Sequence, residues 1–100
     1  SGNSSAELQK SEKGTIVRLE IYETSSGSDI LRNLKEYNIN PDIIEIEKYS
    51  FPNVLASVSL VRDFRITEII ICENISHYRG LGQLYSIIDS ERIKLTLKKK

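Results

Sequence analysis

The residues best suited to chemistry gather just after an isoleucine-rich run. Glu73 and Asn74 follow Ile69-Ile70-Ile71-Cys72, and His77, Tyr78, Arg79 and Gln83 come next. A carboxylate, two amides, the chain's only imidazole, a phenol and a guanidinium at that place could hold a polar or anionic ligand. Open α/β sheets place ligands at the C-terminal ends of their strands, and free N–H groups at a helix start favour anions. The plain alternative is that Asn74 and Ser76 cap a helix while His77 and Tyr78 pack at its edge. Cys72 and His77 lack the paired spacing of a zinc site, and the apolar neighbours of Cys72 argue against nucleophilic Cys–His chemistry.

Other constellations are weaker. Glu45 and Glu47 share one face of an extended segment, where paired carboxylates can do acid–base work but ordinarily face water. Arg62, Arg65, Arg79 and Arg92, with Lys98 to Lys100, could form a phosphate-binding surface, or a solvated rim balanced by Glu45, Glu47, Glu68 and Glu91. Ser25-Ser26-Gly27-Ser28 precedes a helix but lacks the Gly-Lys-Ser/Thr of a phosphate loop, so capping is its expected role.

The elements that must position these residues follow from periodicity. Residues 1–14 are polar and aperiodic, and read as a disordered arm or a short helical turn around Ala6-Glu7-Leu8. Thr15 to Glu23 alternates as a half-buried strand. Ser28 to Asn38 has one apolar stripe, Ile30, Leu31, Leu34 and Tyr37, and predicts a helix stopped before Pro41. Ile43 to Tyr49, Val54 to Val61 and Ile66 to Ile75 read as three further strands, with turns at Ser50-Phe51-Pro52-Asn53 and Arg62-Asp63-Phe64-Arg65. The unbroken apolar run of the last of these predicts a central strand covered on both faces. Ser76 to Asp89 predicts a second helix and Arg92 to Lys98 a final strand. The expectation is therefore one α/β domain over residues 15–98, with a basic tail at 99–100. It has a single mixed sheet of about five strands with two helices, in the order β-α-β-β-β-α-β.

Composition narrows the function classes. The chain has 100 residues with 14 basic and 14 acidic side chains and a formal net charge of zero, which withholds support from strong nucleic-acid binding. No apolar run approaches the ~20 residues of a membrane span. One cysteine allows no intrachain disulfide and fits a buried residue in a reducing, cytoplasmic compartment. So small a domain has a thin core, which a second copy would help to complete.

Without the first strand, the order helix, three-strand meander, helix, strand resembles the core of the restriction-endonuclease-like, or PD-(D/E)XK, nuclease superfamily over residues 28–98. Gly80-Leu81-Gly82-Gln83-Leu84-Tyr85 after the apolar strand adds to the likeness. The resemblance implies an Asp and a Glu on neighbouring strands holding Mg²⁺, with a Lys stabilising the attacked phosphate. It also implies that Gln83 lies near the active site. The sequence departs from that pattern at its centre. Asn53 follows Pro52 where the family has Asp, and neither register of the strand restores the set: with Glu73 as the metal-binding Glu the Lys position is Ile75, and with Glu73 at the Lys position the Glu position is Ile71.

The reading is thus a degenerate nuclease-like fold acting as a non-catalytic binding module for nucleic acid or a partner protein. Its binding residues are Asn53, Glu73, Asn74, His77, Tyr78, Arg79 and Gln83. One alternative is a divergent metal-dependent nuclease using Glu73 with Asp63 or Glu68, together with Gln83. The other is a structural protein that forms a homodimer through a free sheet edge, either Thr15 to Glu23 or the last strand.

Overall fold

The structure, a computed structural model, describes residues 5–22, 24–48, 50–72 and 81–98. Strand β1 (Ser5–Ser11) and strand β2 (Gly14–Glu20) form a hairpin. Helix α1 (Thr24–Glu36), strand β3 (Ile43–Ile46), helix α2 (Phe51–Asp63), strand β4 (Glu68–Cys72), helix α3 (Leu81–Ser90) and strand β5 (Lys94–Lys98) then alternate. One five-stranded sheet runs in chain order, β1-β2-β3-β4-β5, with β1 antiparallel to β2 and every later pair parallel. This is the mixed-sheet α/β class expected, with three helices instead of two.

The sequential order has a physical consequence. Parallel neighbours need crossovers, and crossovers are right-handed. Each step moves the chain the same way along the sheet, so all three helices fall on one face. The core confirms this: Leu34, Val54, Leu60, Leu84 and Ile88 from the helices join Val17, Leu19, Ile44, Ile46, Ile69 and Ile71 from the strands in one buried cluster. The other sheet face carries no described helix.

Several expectations need correction. Ser5–Ser11, read as an arm or a helical turn, is a strand: its weak apolar signal, Ala6 and Leu8, becomes extended structure only because Val17 and Leu19 lie opposite. Val54 to Val61, read as the middle strand of a meander, is helical. Its alternating hydrophobicity also fits a helix buried over most of its surface, and seven residues from Asn53 to Val61 are buried. The capping signal decides. Ser50, extended at φ −152°, accepts the Asn53 N–H at 3.0 Å, and Pro52 sits in the first turn. Arg62 and Asp63 are accordingly the end of a helix, not a hairpin turn. The element order on which the likeness to the nuclease core rested is therefore replaced by regular βα alternation.

The isoleucine-rich strand is also placed differently. β4 is next to the edge strand β5, and β3 is the middle strand, buried along its whole length. Ile69 and Ile71 face the helices and are fully buried, whereas Ile70 is half-exposed on the open face. Thr15 to Glu23 is not an edge, because β1 covers it.

Short links lace the strand starts. Asp42 accepts the Thr15 N–H on its carboxylate at 2.9 Å and donates its own N–H to the Thr15 carbonyl at 2.9 Å. The Asp42 carbonyl accepts the Thr67 N–H at 2.7 Å, and the Thr67 carbonyl accepts the Lys94 N–H at 3.1 Å. Gly14, at φ +128°, lets the hairpin come up against Asp42, since a Cβ there would lie 2.3 Å from its Oδ2.

Candidate interaction surface at the strand ends

The opposite end of the sheet, where the parallel strands finish, carries Asn53, whose surroundings are the most tightly specified of the sequence-derived binding residues among those described. Asn53 is 1 % exposed in the first turn of α2. Its Oδ1 accepts the Ile21 N–H at 2.7 Å, and its Nδ2 donates to the Lys48 carbonyl at 2.9 Å. Ser50 Oγ, besides capping α2, donates to the Ile21 carbonyl. The two side chains therefore fasten the end of β2 to the loop after β3 and to the start of α2. A buried amide with a bond on each arm is a clip, so Asn53 holds the rim together, 1 % exposed and behind its surface.

What the clip holds is exposed. Tyr22 follows Ile21 and is 42 % exposed, while Phe51 follows Ser50 and is 45 % exposed. Alongside, Gln83 lines a groove between α1 and α2 with Gly27, Leu31, Pro52, Leu55 and Arg62. Here the helices approach closely, for a Cβ on Gly27 would touch Ala56 Cβ at 3.4 Å. Neither Tyr22 nor Phe51 belongs to a motif recognisable in the sequence. The available signal was the pair of apolar residues at strand-to-helix junctions, one beside a Ser-x-x-Asn cap.

The other candidates do not converge on this rim. Asp63 lies at the far end of α2, about 15 Å from Asn53 along the axis, where it accepts a hydrogen bond from Lys35 Nζ at 2.8 Å. Glu68 begins β4 on the open face and accepts from Thr96 Oγ1. Glu73, Asn74, His77, Tyr78 and Arg79 lie outside the described residues. Among those that are described, no group of three or more His, Cys, Asp or Glu side chains is placed to hold a metal ion. Asp63, at the opposite end of the helix from Asn53, does not take the place of the carboxylate missing there.

Glu45 and Glu47 do share the open face, but as ion-pair partners. Arg18 Nε meets the buried Glu45 carboxylate at 3.0 Å, with Glu47 at 3.8 Å and Glu7 at 3.9 Å from the guanidinium. The Arg18 pKa is pushed above its ordinary value, chiefly by Glu45, with burial opposing and Glu47 adding. Lys98 Nζ reaches Glu47 at 3.9 Å. Among the described residues the expected basic surface is divided: Arg62, Arg65 and Arg92 lie where helices end, and Lys98 lies at the far end of β5, while Arg79, Lys99 and Lys100 lie outside the described residues. Among the described residues, no helix is long and apolar enough to cross a membrane.

Comparison with known proteins adds no relative: no family model, curated protein or solved structure matches this chain.

Proposed function

We propose that this chain is a non-catalytic interaction module that binds a partner protein at the rim where its parallel strands end, with Tyr22 and Phe51 as anchors. The observation that carries this reading is the exposure of both aromatics, 42 % and 45 %, on the two segments that Asn53 and Ser50 clip together. Aromatic side chains on a rigid frame dominate protein interfaces, because they bury much area at little entropic cost. A nucleic-acid partner is less well supported, since among the described residues Arg62, Arg65 and Arg92 are separated from Lys98 and the cation Arg18 is taken up by Glu7, Glu45 and Glu47.

The test places a photo-crosslinking amino acid at position 51 and, as a control, at the exposed Arg65 position at the other end of the fold. Crosslinking in cells is expected to trap one discrete protein from position 51 and none from position 65, with the product lost in Tyr22→Ala. Salt-sensitive gel shifts of DNA or RNA, or Mg²⁺-dependent cleavage by pure protein, would overturn the reading.

A further inference from the structure

The outer side of β1 is set by the way β2 is used. Thr15 directs both backbone groups at Asp42, and Ile21 directs both at Asn53 and Ser50. The odd-numbered residues of β2 thus face β3. The even-numbered Gly14, Ile16, Arg18 and Glu20 face β1, where Ser11, Gln9, Glu7 and Ser5 stand opposite them. Antiparallel ladders alternate, so the N–H and C=O groups of Ala6, Leu8 and Lys10 point away from β2. No described strand pairs with this side. On the helix side of the sheet, Ala6 and Leu8 border an apolar groove of about 350 Å³ formed with Ile30, Leu34, Tyr37 and Ile39. Leu8 is 43 % exposed and Tyr37 71 %.

We propose that β1 is a homodimerisation edge, pairing antiparallel with β1 of a second copy about a two-fold axis through Leu8. In that register Leu8 faces its own counterpart, Ala6 faces Lys10, Glu7 faces Gln9 and Ser5 faces Ser11. The outward-pointing residues are the ones that meet, each pair exchanging both N–H···O=C bonds. No like charges are opposed, the Glu7 carboxylate meets an amide donor, and the paired Leu8 side chains close the groove beside Tyr37 in both copies. An isologous contact of this kind closes on itself and does not propagate.

The opposite edge shows the contrast. The Lys94 N–H is used inward, on the Thr67 carbonyl, so Leu95 and Leu97 carry the outward groups of β5. Pairing them with a second β5 sets Lys94 against Lys98. Lysines of this sort guard an edge against association; the one lysine of β1, Lys10, stands opposite Ala6 in the proposed register, so no cation meets another there.

Sedimentation velocity over a concentration series tests the proposal, with circular dichroism melts of each variant. Wild-type protein is expected to move from monomer to dimer mass. Leu8→Lys, which opposes two cations at the axis, weakens the dimer by more than about tenfold. Lys10→Pro removes an outward N–H and no inward one, and gives a monomer whose melting midpoint is that of the wild-type monomer. In a Cys72→Ala background, Leu8→Cys crosslinks to its counterpart on oxidation while Glu7→Cys does not. A wild-type monomer at every concentration, or a dimer that persists in both Leu8→Lys and Lys10→Pro, would overturn the proposal. Tyr22→Ala and Phe51→Ala leave the mass unchanged, so failure here is distinct from failure of the rim as a partner site.

Discussion

Asn53 is where a motif-based reading and a structural reading diverge most. In the sequence it stands beside Pro52 as a substitute for a metal-binding carboxylate. In the fold both arms of its amide are committed to backbone groups of Ile21 and Lys48. Removing the side chain strands the buried Ile21 N–H and takes a donor from the part-buried Lys48 carbonyl, so Asn53→Ala is expected to lower stability by about 1–3 kcal/mol, measured by urea unfolding. Asn53→Asp restores the carboxylate of the motif but loses the donor to Lys48. It is expected to be destabilised as well and to gain no Mg²⁺-dependent cleavage of DNA. Stability equal to wild type in both variants would show that the clip does not hold the rim. Glu45 carries the same lesson at the same scale. Its spacing from Glu47 invites acid–base chemistry, but its carboxylate is buried against Arg18, whose charge it needs.

At the scale of elements, legibility followed how much each one depends on others. β2, α1 and β5 carry their own periodicity and were readable from it. β1 has too few apolar residues to be recognised without β2. α2 was misread because the β-branched and small residues of Val54 to Val61 alternate, while the deciding signal was Ser50 and Pro52 upstream. The helix ends show how strongly context overrides local preference. Helix α1 closes with Asn38 at φ 56°, the Ile39 N–H bonding the Leu34 carbonyl at 2.8 Å and the Asn38 N–H the Lys35 carbonyl at 3.2 Å. Helix α3 closes in the same way, with Ile93 on Ile88 at 2.9 Å and Arg92 on Asp89 at 3.2 Å. Its left-handed residue is Arg92, at φ 55°. Asparagine tolerates that conformation and glycine is its usual occupant, whereas arginine is strained there by about 1–2 kcal/mol. Glycine relieves the strain but loses more freedom on folding. Arg92→Gly is therefore expected to stabilise the protein by a net ~0.5–1 kcal/mol, raising the thermal midpoint. A lowered midpoint would mean that the Arg92 side chain supports the fold more than its backbone strains it.

At the scale of the whole molecule, the described helices all lie on one side of the sheet, and this could not be read from the isoleucine-rich segment alone. Ile69, Ile70 and Ile71 look alike in the sequence, and a run without alternation implies burial on both faces. The register separates them. Ile69 lies in a row with Val17, Ile44 and Leu95, and Ile71 in a row with Leu19, Ile46 and Leu97, both beneath the helices. Ile70 lies between Glu45 and Thr96, in the row that contains Arg18. The charged network of Arg18, Glu7, Glu45 and Glu47 gives that face a polar surface with its charges paired. Single truncations should report this asymmetry. Ile69→Ala opens a cavity in a packed core and is expected to cost about 3–4 kcal/mol. Ile70→Ala removes a half-exposed side chain from the open face and is expected to cost about 1 kcal/mol. Equal, large losses at both positions in chemical unfolding would mean that a second layer covers the open face in solution. Because β1 is the hairpin that carries Glu7 into the network, the same measurement on a β1-edge variant such as Lys10→Pro should leave the Ile69 and Ile70 difference intact. Loss of that difference would tie the open face to the edge as one cooperative surface.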